Sequence, residues 1–329
     1  MLFSSSLIMG TIISLSSTTW FMAWTGLEIN LLSLLPLMKS PKNKYSAEAT
    51  LKYFMTQALA SAILIFSVML FSNFQTNMFE THLISFPILN LALLMKMGAA
   101  PLHFWMQEVV TGISWNLNII ILTWQKLAPM ILLFYCLAST TLLSIFIILS
   151  ALIGSLNGFN QTCLRKLLMF SSINHIGWML SLLTWSFNSW LIYFSIYTFI
   201  NINIIFLLNL NKIYFFNQIN KISFNKSTKF FFLMNLFSLG GLPPFIGFFI
   251  KWITVNELVF NKMFALALIL IFLTLLALFF YTRLTFSTLT MTAAENLPIF
   301  INSPPLLVSI SSFVSLSAIV LCFSFISLI

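Results

Sequence analysis

Aspartate is absent from this chain, and glutamate occurs only six times in 329 residues. Charged residues of all kinds make up 6% of it, where a soluble domain carries about 25%. That shortage excludes a water-covered surface over most of the molecule. It also speaks against a metal-ion path, because hard cations want several carboxylates. Cysteine is scarce as well. Cys136, Cys163 and Cys322 lie far apart in apolar segments with no CxxC spacing, so iron–sulfur or zinc ligation is not expected. No GxGxxG or Walker sequence occurs, which leaves nucleotide binding without support. The longest polar stretch, 211–229, still carries apolar residues and leaves no room for a soluble domain.

What the chain has instead is apolar length. Hydrophobic residues make up 60% of it. A membrane helix needs roughly 20 mostly apolar residues, and eleven candidate segments are legible. They run approximately over 2–19, 21–38, 47–72, 83–110, 114–135, 139–158, 163–184, 188–211, 229–258, 263–289 and 304–328. These are long continuous runs, not short alternating ones, which argues against a β-barrel. The expected fold is an all-α, polytopic membrane helix bundle.

The net charge of +9 follows the membrane and does not point to nucleic acid. If the segments alternate across a bilayer, Lys39, Lys42, Lys44, Lys52, Arg165, Lys166, Lys212, Lys221, Lys226, Lys229 and Arg283 fall on one side, and only Lys262 on the other. That is the positive-inside asymmetry, and it puts the N-terminus on the inner side and the C-terminus opposite. The sequon Asn160-Gln161-Thr162 then faces inward and is expected to stay unmodified. The N-terminal stretch MLFSSSLIMGTIISLSS has neither the basic start of a signal peptide nor the arginines of a transit peptide, so the first helix is expected to be retained.

Two of the segments are interrupted. Segment 83–110 carries Gly98-Ala99-Ala100-Pro101, and segment 229–258 carries Gly240-Gly241-Leu242-Pro243-Pro244 followed by Gly247. Proline lacks the backbone donor and clashes with the preceding turn, so each helix must break or kink there. Broken backbone at membrane depth persists only where protein or water satisfies the freed groups. A pair of such helices in the two halves of a chain is the usual pointer to a transporter built from inverted repeats. The plainer alternative is an ordinary proline kink.

Three lysines decide against that alternative. Lys96 lies in LALLMKMGAAPLHFW, Lys126 in IIILTWQKLAPMILLF and Lys251 in GGLPPFIGFFIKWITV. A charge near the bilayer centre costs at least about 2.5–3.5 kcal/mol, so it normally faces a polar interior and has a function there. Lys96 and Lys126 lie about 12 residues, roughly 18 Å, into their segments, too deep to snorkel easily. Lys251 follows its break. Glu28, in WTGLEINLLSLLPL, is the matching acid. A purely structural ion pair would account for one lysine and not three. Desolvation disfavours the charged form of a lysine and a neighbouring carboxylate restores it, so such a set can load and release protons. His103, just after Pro101, and His175, among Ser171, Ser172 and Asn174, are secondary candidates for a relay. Glu108 lies near a segment end and reads as surface. Ser303-Pro304-Pro305 reads as the capped start of the last helix.

The runs TGLEINLLSLLPL, SAEATLKYFMTQALAS, MKMGAAPLHFWMQEV, LTWQKLAP, GSLNGFNQTCLRKLLMFSSINHIGWM and SLGGLPPFIGFFIKW resemble the antiporter-like membrane subunits of mitochondrial NADH–ubiquinone oxidoreductase, respiratory complex I, of the animal chain 2 type. The resemblance covers residues 10 to about 290. It implies a single antiporter-like transmembrane domain, 1–329, of about eleven helices. Two five-helix inverted repeats would each hold a broken helix, and three N-terminal helices of bacterial relatives would be missing. It places the family's proton-path residues on Glu28, Lys96, Lys126 and Lys251. It implies that NADH, FMN, iron–sulfur clusters and ubiquinone are bound by other subunits, with no cofactor or metal on this chain. The implied partners are the other membrane-arm and accessory subunits and the lipid bilayer, cardiolipin included. The implied location is the mitochondrial inner membrane with the positive side in the matrix. A stand-alone cation/proton antiporter and a scaffold with an inactive path are the alternatives.

Overall fold

The computed structural model describes residues 2–40, 43–73, 78–137, 140–221, 226–243 and 245–290. The eleventh apolar segment, 304–328, with its Ser303-Pro304-Pro305 start and Cys322, lies outside the described residues. Among these residues every regular element is an α-helix, and the only β-type pairing is the isolated bridge between Cys163 and Phe215. Ten of the eleven expected segments appear as helices. Among the described residues six helical spans are long and apolar enough to cross a membrane, Trp115–Phe134 counted as one. Met78–Met97 and Lys226–Gly240 are each the first half of a broken helix.

The chain divides into two packing units, Met1–Ser150 and Ala151–Ile329. The first holds α1 (Leu2–Ser16), α2 (Trp20–Met38), α3 (Lys44–Asn73), α4 (Met78–Met97), α5 (Phe104–Gly112), α6 (Trp115–Leu122) and α7 (Trp124–Phe134). The unit boundary falls inside α8 (Thr140–Phe159). The second unit continues with α9 (Leu164–Leu183), α10 (Phe187–Leu210), the short α11 (Phe216–Lys221), α12 (Lys226–Gly240), α13 (Ile246–Phe260) and α14 (Phe264–Thr290). Each unit therefore contains one broken helix, α4/α5 in the first and α12/α13 in the second.

In the first unit α1 and α2 form the tightest helix pair, joined by a turn whose Thr19 hydroxyl accepts the Met22 N–H. Small residues permit the approach, as is usual where lipid offers no hydrophobic drive between helices. A Cβ on Gly26 would lie 2.6 Å from Ser14 N and 2.8 Å from Gly10 O. Both are backbone atoms and cannot rotate away. Gly26→Ala is expected to cost about 1–3 kcal/mol of packing, read as reduced yield of folded protein, while Met22→Ala on the exposed face leaves yield unchanged.

In the second unit α9 is the central helix. Eighteen of its twenty residues are buried, all but Arg165 and Lys166, so its polar side chains face protein and not lipid. Helices α10, α13 and α14 pack around it. The polar stretch 211–229 is not a plain loop. Phe216 N donates to Thr162 O and Leu164 N to Tyr214 O, which sets the bridge, and α11 follows. Arg165 lies over the Tyr214 ring at 4.9 Å and Arg283 over Phe216 at 5.8 Å.

Candidate functional site

The two breaks have the same construction. At the first, Gly98 takes φ +73°, Gly98 N donates to Met95 O, and Ala99 N donates to Leu94 O. At the second, Gly241 takes φ +77°, Gly241 N donates to Ser238 O, and Leu242 N donates to Phe237 O. This is the Schellman cap, in which a left-handed residue after the helix folds two N–H groups back onto orphan carbonyls. Glycine adopts that conformation without the cost a Cβ imposes. The sequence suggests loose backbone at these points. The structure corrects that, since the freed groups are largely taken up by the chain itself.

Side chains add further bonds to carbonyls at the helix ends. Trp105 Nε1 donates to Met95 O and Gln57 Nε2 to Lys96 O, at 3.2 and 3.3 Å. At the second break Lys251 Nζ donates to Gly240 O at 2.7 Å. Lys96 is thus in the last turn of its half-helix, and Lys251 reaches back to the end of the half-helix that precedes its own. The Lys251 ammonium sits at the negative end of a helix dipole, which favours a cation there. Lys96, Lys126 and Lys251 are 6%, 1% and 9% exposed. Lys251 therefore does not snorkel outward.

Glu28 and Lys96 form an ion pair at 3.9 Å, Oε1 to Nζ. That is close enough for strong coupling and too long for a direct hydrogen bond. At an effective dielectric of 20 the attraction is about 4 kcal/mol before screening. Beside it lies a cavity of about 10 Å3 with Asn30, Tyr53, Gln57, Lys96 and Gln125 among its lining residues, enough for about one water. Gln125 Nε2 donates to Asn30 Oδ1 at 2.8 Å, which ties α2 to the turn that carries Lys126.

The expected segment 114–135 is one apolar span, Trp115–Phe134, with a one-residue irregularity between α6 and α7. The helix is distorted at Thr123, with φ −118° and ψ −73°, although Thr123 N still donates to Ile119 O. Thr123 Oγ1 donates to Ile119 O at 2.6 Å. Pro129 cannot donate to Gln125 O, which weakens this turn from below. Lys126 therefore stands within a turn of a local helix distortion.

His103 is buried within the first break. Its Nδ1 lies 3.2 Å from Pro101 O, and a carbonyl only accepts, so Nδ1 carries a proton. Its ring stacks on Phe104 at 4.6 Å. His175 is buried mid-way along α9, with Nδ1 2.8 Å from Tyr193 Oη. Glu108 is exposed and pairs with Lys52 at 2.5 Å, in keeping with a surface role. Within the first unit the structure brings together Glu28 and Lys96, with Gln125, next to Lys126, on the same small cavity. Gln57, Gln125 and Tyr193 went unremarked in the sequence, although each is a polar side chain inside an apolar run.

The fold and this geometry define a multi-pass helical membrane protein of the antiporter-like class, with a broken helix and a buried lysine in each unit. Residues 17–277 match the family described as NADH:quinone oxidoreductase/Mrp antiporter, transmembrane. The chain is 42% identical over 297 residues to NADH-ubiquinone oxidoreductase chain 2 of Locusta migratoria, covering 90% of this chain and 87% of that one. It is 44% identical over 299 residues to the chain 2 of Anopheles gambiae, with the same coverage of each. Among solved structures it is similar in fold to a chain of respiratory complex I from Thermus thermophilus. There the TM-score is 0.86 at 22% identity, over 96% of this chain and 76% of that one. The chain belongs to this family and, within it, to the NADH-ubiquinone oxidoreductase chain 2 proteins.

Proposed function

We propose that this chain is a proton-translocating membrane-arm subunit of respiratory complex I, in which residues 1–329 act as one antiporter-like domain. The observation that carries the reading is the ion pair between the buried Lys96 and the part-buried Glu28 at a capped helix break. NADH oxidation and ubiquinone reduction, with their FMN and iron–sulfur clusters, belong to partner subunits. This chain takes up the energy as a change in charge along its buried lysines.

The magnitudes are compatible. Moving one charge against 150 mV costs about 3.5 kcal/mol, and breaking the Glu28–Lys96 attraction releases Lys96 from a coupling of about 4 kcal/mol. In this reading the inner side loads Lys126, the charge of the Glu28–Lys96 pair gates it, and Lys251 passes the proton outward. His103 assists at the first break and His175 from the middle of α9. The chain lies in the mitochondrial inner membrane with its N-terminus in the matrix. The basic residues of the inner side contact anionic lipid such as cardiolipin.

Lys96→Met in the isolated, reconstituted complex is the test. Loss of both proton translocation and coupled electron transfer, with assembly intact, is the expected result. Normal values for both would reduce the chain to a scaffold. The family description also covers Mrp antiporters, so a second reading is a stand-alone cation/proton antiporter. Migration as a free subunit in native electrophoresis, and not in a large assembly, would favour that one.

A further inference from the structure

The buried polar groups of the second unit extend beyond Lys251. Ser172 and His175 are three residues apart on α9, and Tyr193, Tyr197 and Asn201 follow at intervals of four on α10. Each set shares one helix face, and all five residues are buried. His175 Nδ1 and Tyr193 Oη are 2.8 Å apart. The Tyr197 ring packs 5.1 Å from the imidazole, and its hydroxyl engages Ser172 and Asn201. Helix α13, which carries Lys251, packs against both α9 and α10.

Composition makes the tyrosines informative. The chain uses phenylalanine 37 times and tyrosine seven times, so phenylalanine is the default aromatic filler. Burying a hydroxyl gains nothing unless it is bonded, and leaving one partner unbonded costs the desolvation of the other. Tyr193 spends its hydroxyl on a histidine, a group that can change its own proton count.

We infer that Tyr193 and His175, bonded Oη to Nδ1, form a proton relay on the α9–α10 seam in which Tyr193 itself passes a proton. When Tyr193 donates to Nδ1, the neutral ring carries its own proton on Nε2. A proton arriving at the tyrosine oxygen is matched by transfer of the hydroxyl proton to Nδ1 and release of the Nε2 proton. Each residue then holds as many protons as before, and the starting tautomer returns when Nε2 takes up a proton and Nδ1 gives one up. This rests on the proposal that protons cross this chain.

The test is Tyr193→Phe in the intact complex, which removes one oxygen and keeps the ring. The ubiquinone KM stays unchanged, coupled kcat falls about 3–10-fold, and the solvent-deuterium isotope effect on proton translocation rises. In a His175→Phe background the same change adds no further loss. A wild-type rate and isotope effect, or losses that multiply in the double variant, would overturn the relay. If Lys96→Met loses pumping while Tyr193→Phe does not, only the relay fails. If both pump normally, the proposed function itself is wrong. For a Tyr193→Phe complex that does not assemble, infrared difference spectra of unaltered complex with isotope-labelled tyrosine decide. A tyrosine C–O band that changes between rest and turnover supports the relay, and an unchanging band overturns it.

Discussion

Lys126→Met is expected to abolish proton translocation while leaving the complex assembled. Lys126 is among the most completely buried large side chains of the protein, and methionine has nearly the same length and volume without the charge. Volume-conserving changes in a packed interior usually cost under about 1.5 kcal/mol, so the fold survives. The chemistry does not, because methionine has no proton to give or take. Loss of a group that transfers protons lowers rates by about 100-fold or more. The informative companion is Lys126→Arg. Arginine keeps a positive charge but is not deprotonated in proteins. If Lys126 serves only as a fixed cation, Lys126→Arg retains proton translocation. If it loads and releases protons, both variants are blocked. Proton uptake per NADH in reconstituted vesicles, measured with the electron-transfer rate, separates the two.

Gly247→Ala is expected to prevent the second unit from forming, with assembled complex reduced at least about tenfold. An added Cβ would fall 1.5 Å from Ser238 O and 2.6 Å from Ser238 C. Ser238 lies in the last turn of α12 and Gly247 in the first turn of α13, so the two half-helices run past each other in backbone contact. The obstacle is a carbonyl already fixed by the Gly241 N–H, and it cannot retreat without undoing the cap. Gly241→Ala provides the contrast. There the new Cβ meets Lys251 Cδ and Nζ, both at 2.8 Å, the far end of a flexible side chain. Left-handed backbone adds about 1–2 kcal/mol, which leaves a population that assembles. In that population Lys251 is displaced from Gly240 O, and proton translocation falls more than assembly does. Native electrophoresis and pumping assays, read together, should place Gly247→Ala on the assembly axis and Gly241→Ala on the activity axis. Equal loss of assembly in both would show that the Lys251 contact has no role beyond the cap.

Much of this was legible before any coordinates. Ten of the eleven apolar segments became helices because the bilayer sets both length and composition, and neither depends on tertiary contacts. Both breaks were legible because Gly98 to Pro101 and Gly240 to Pro244 remove donors and admit left-handed backbone. Lys96, Lys126, Lys251 and Glu28 stood out because a charge in an apolar run is expensive. The distortion at Thr123 is not legible in the sequence. One proline six residues downstream is tolerated in many membrane helices, and only the local dihedral angles distinguish a kink from a break.

The amino-acid sequence by itself determined that this protein is a bundle of membrane helices, where two of those helices break, and which few ionisable groups lie inside. Those properties are set residue by residue, by transfer cost and by proline and glycine geometry. The tertiary structure decided which groups meet. It placed Glu28 3.9 Å from Lys96, gave Lys251 a backbone carbonyl and not a carboxylate, joined Gln125 to Asn30 across 95 residues of chain, and set Tyr193 against His175. Such pairings depend on how helix faces rotate against one another, and in a chain this uniformly apolar the hydrophobic pattern carries almost no information about that rotation.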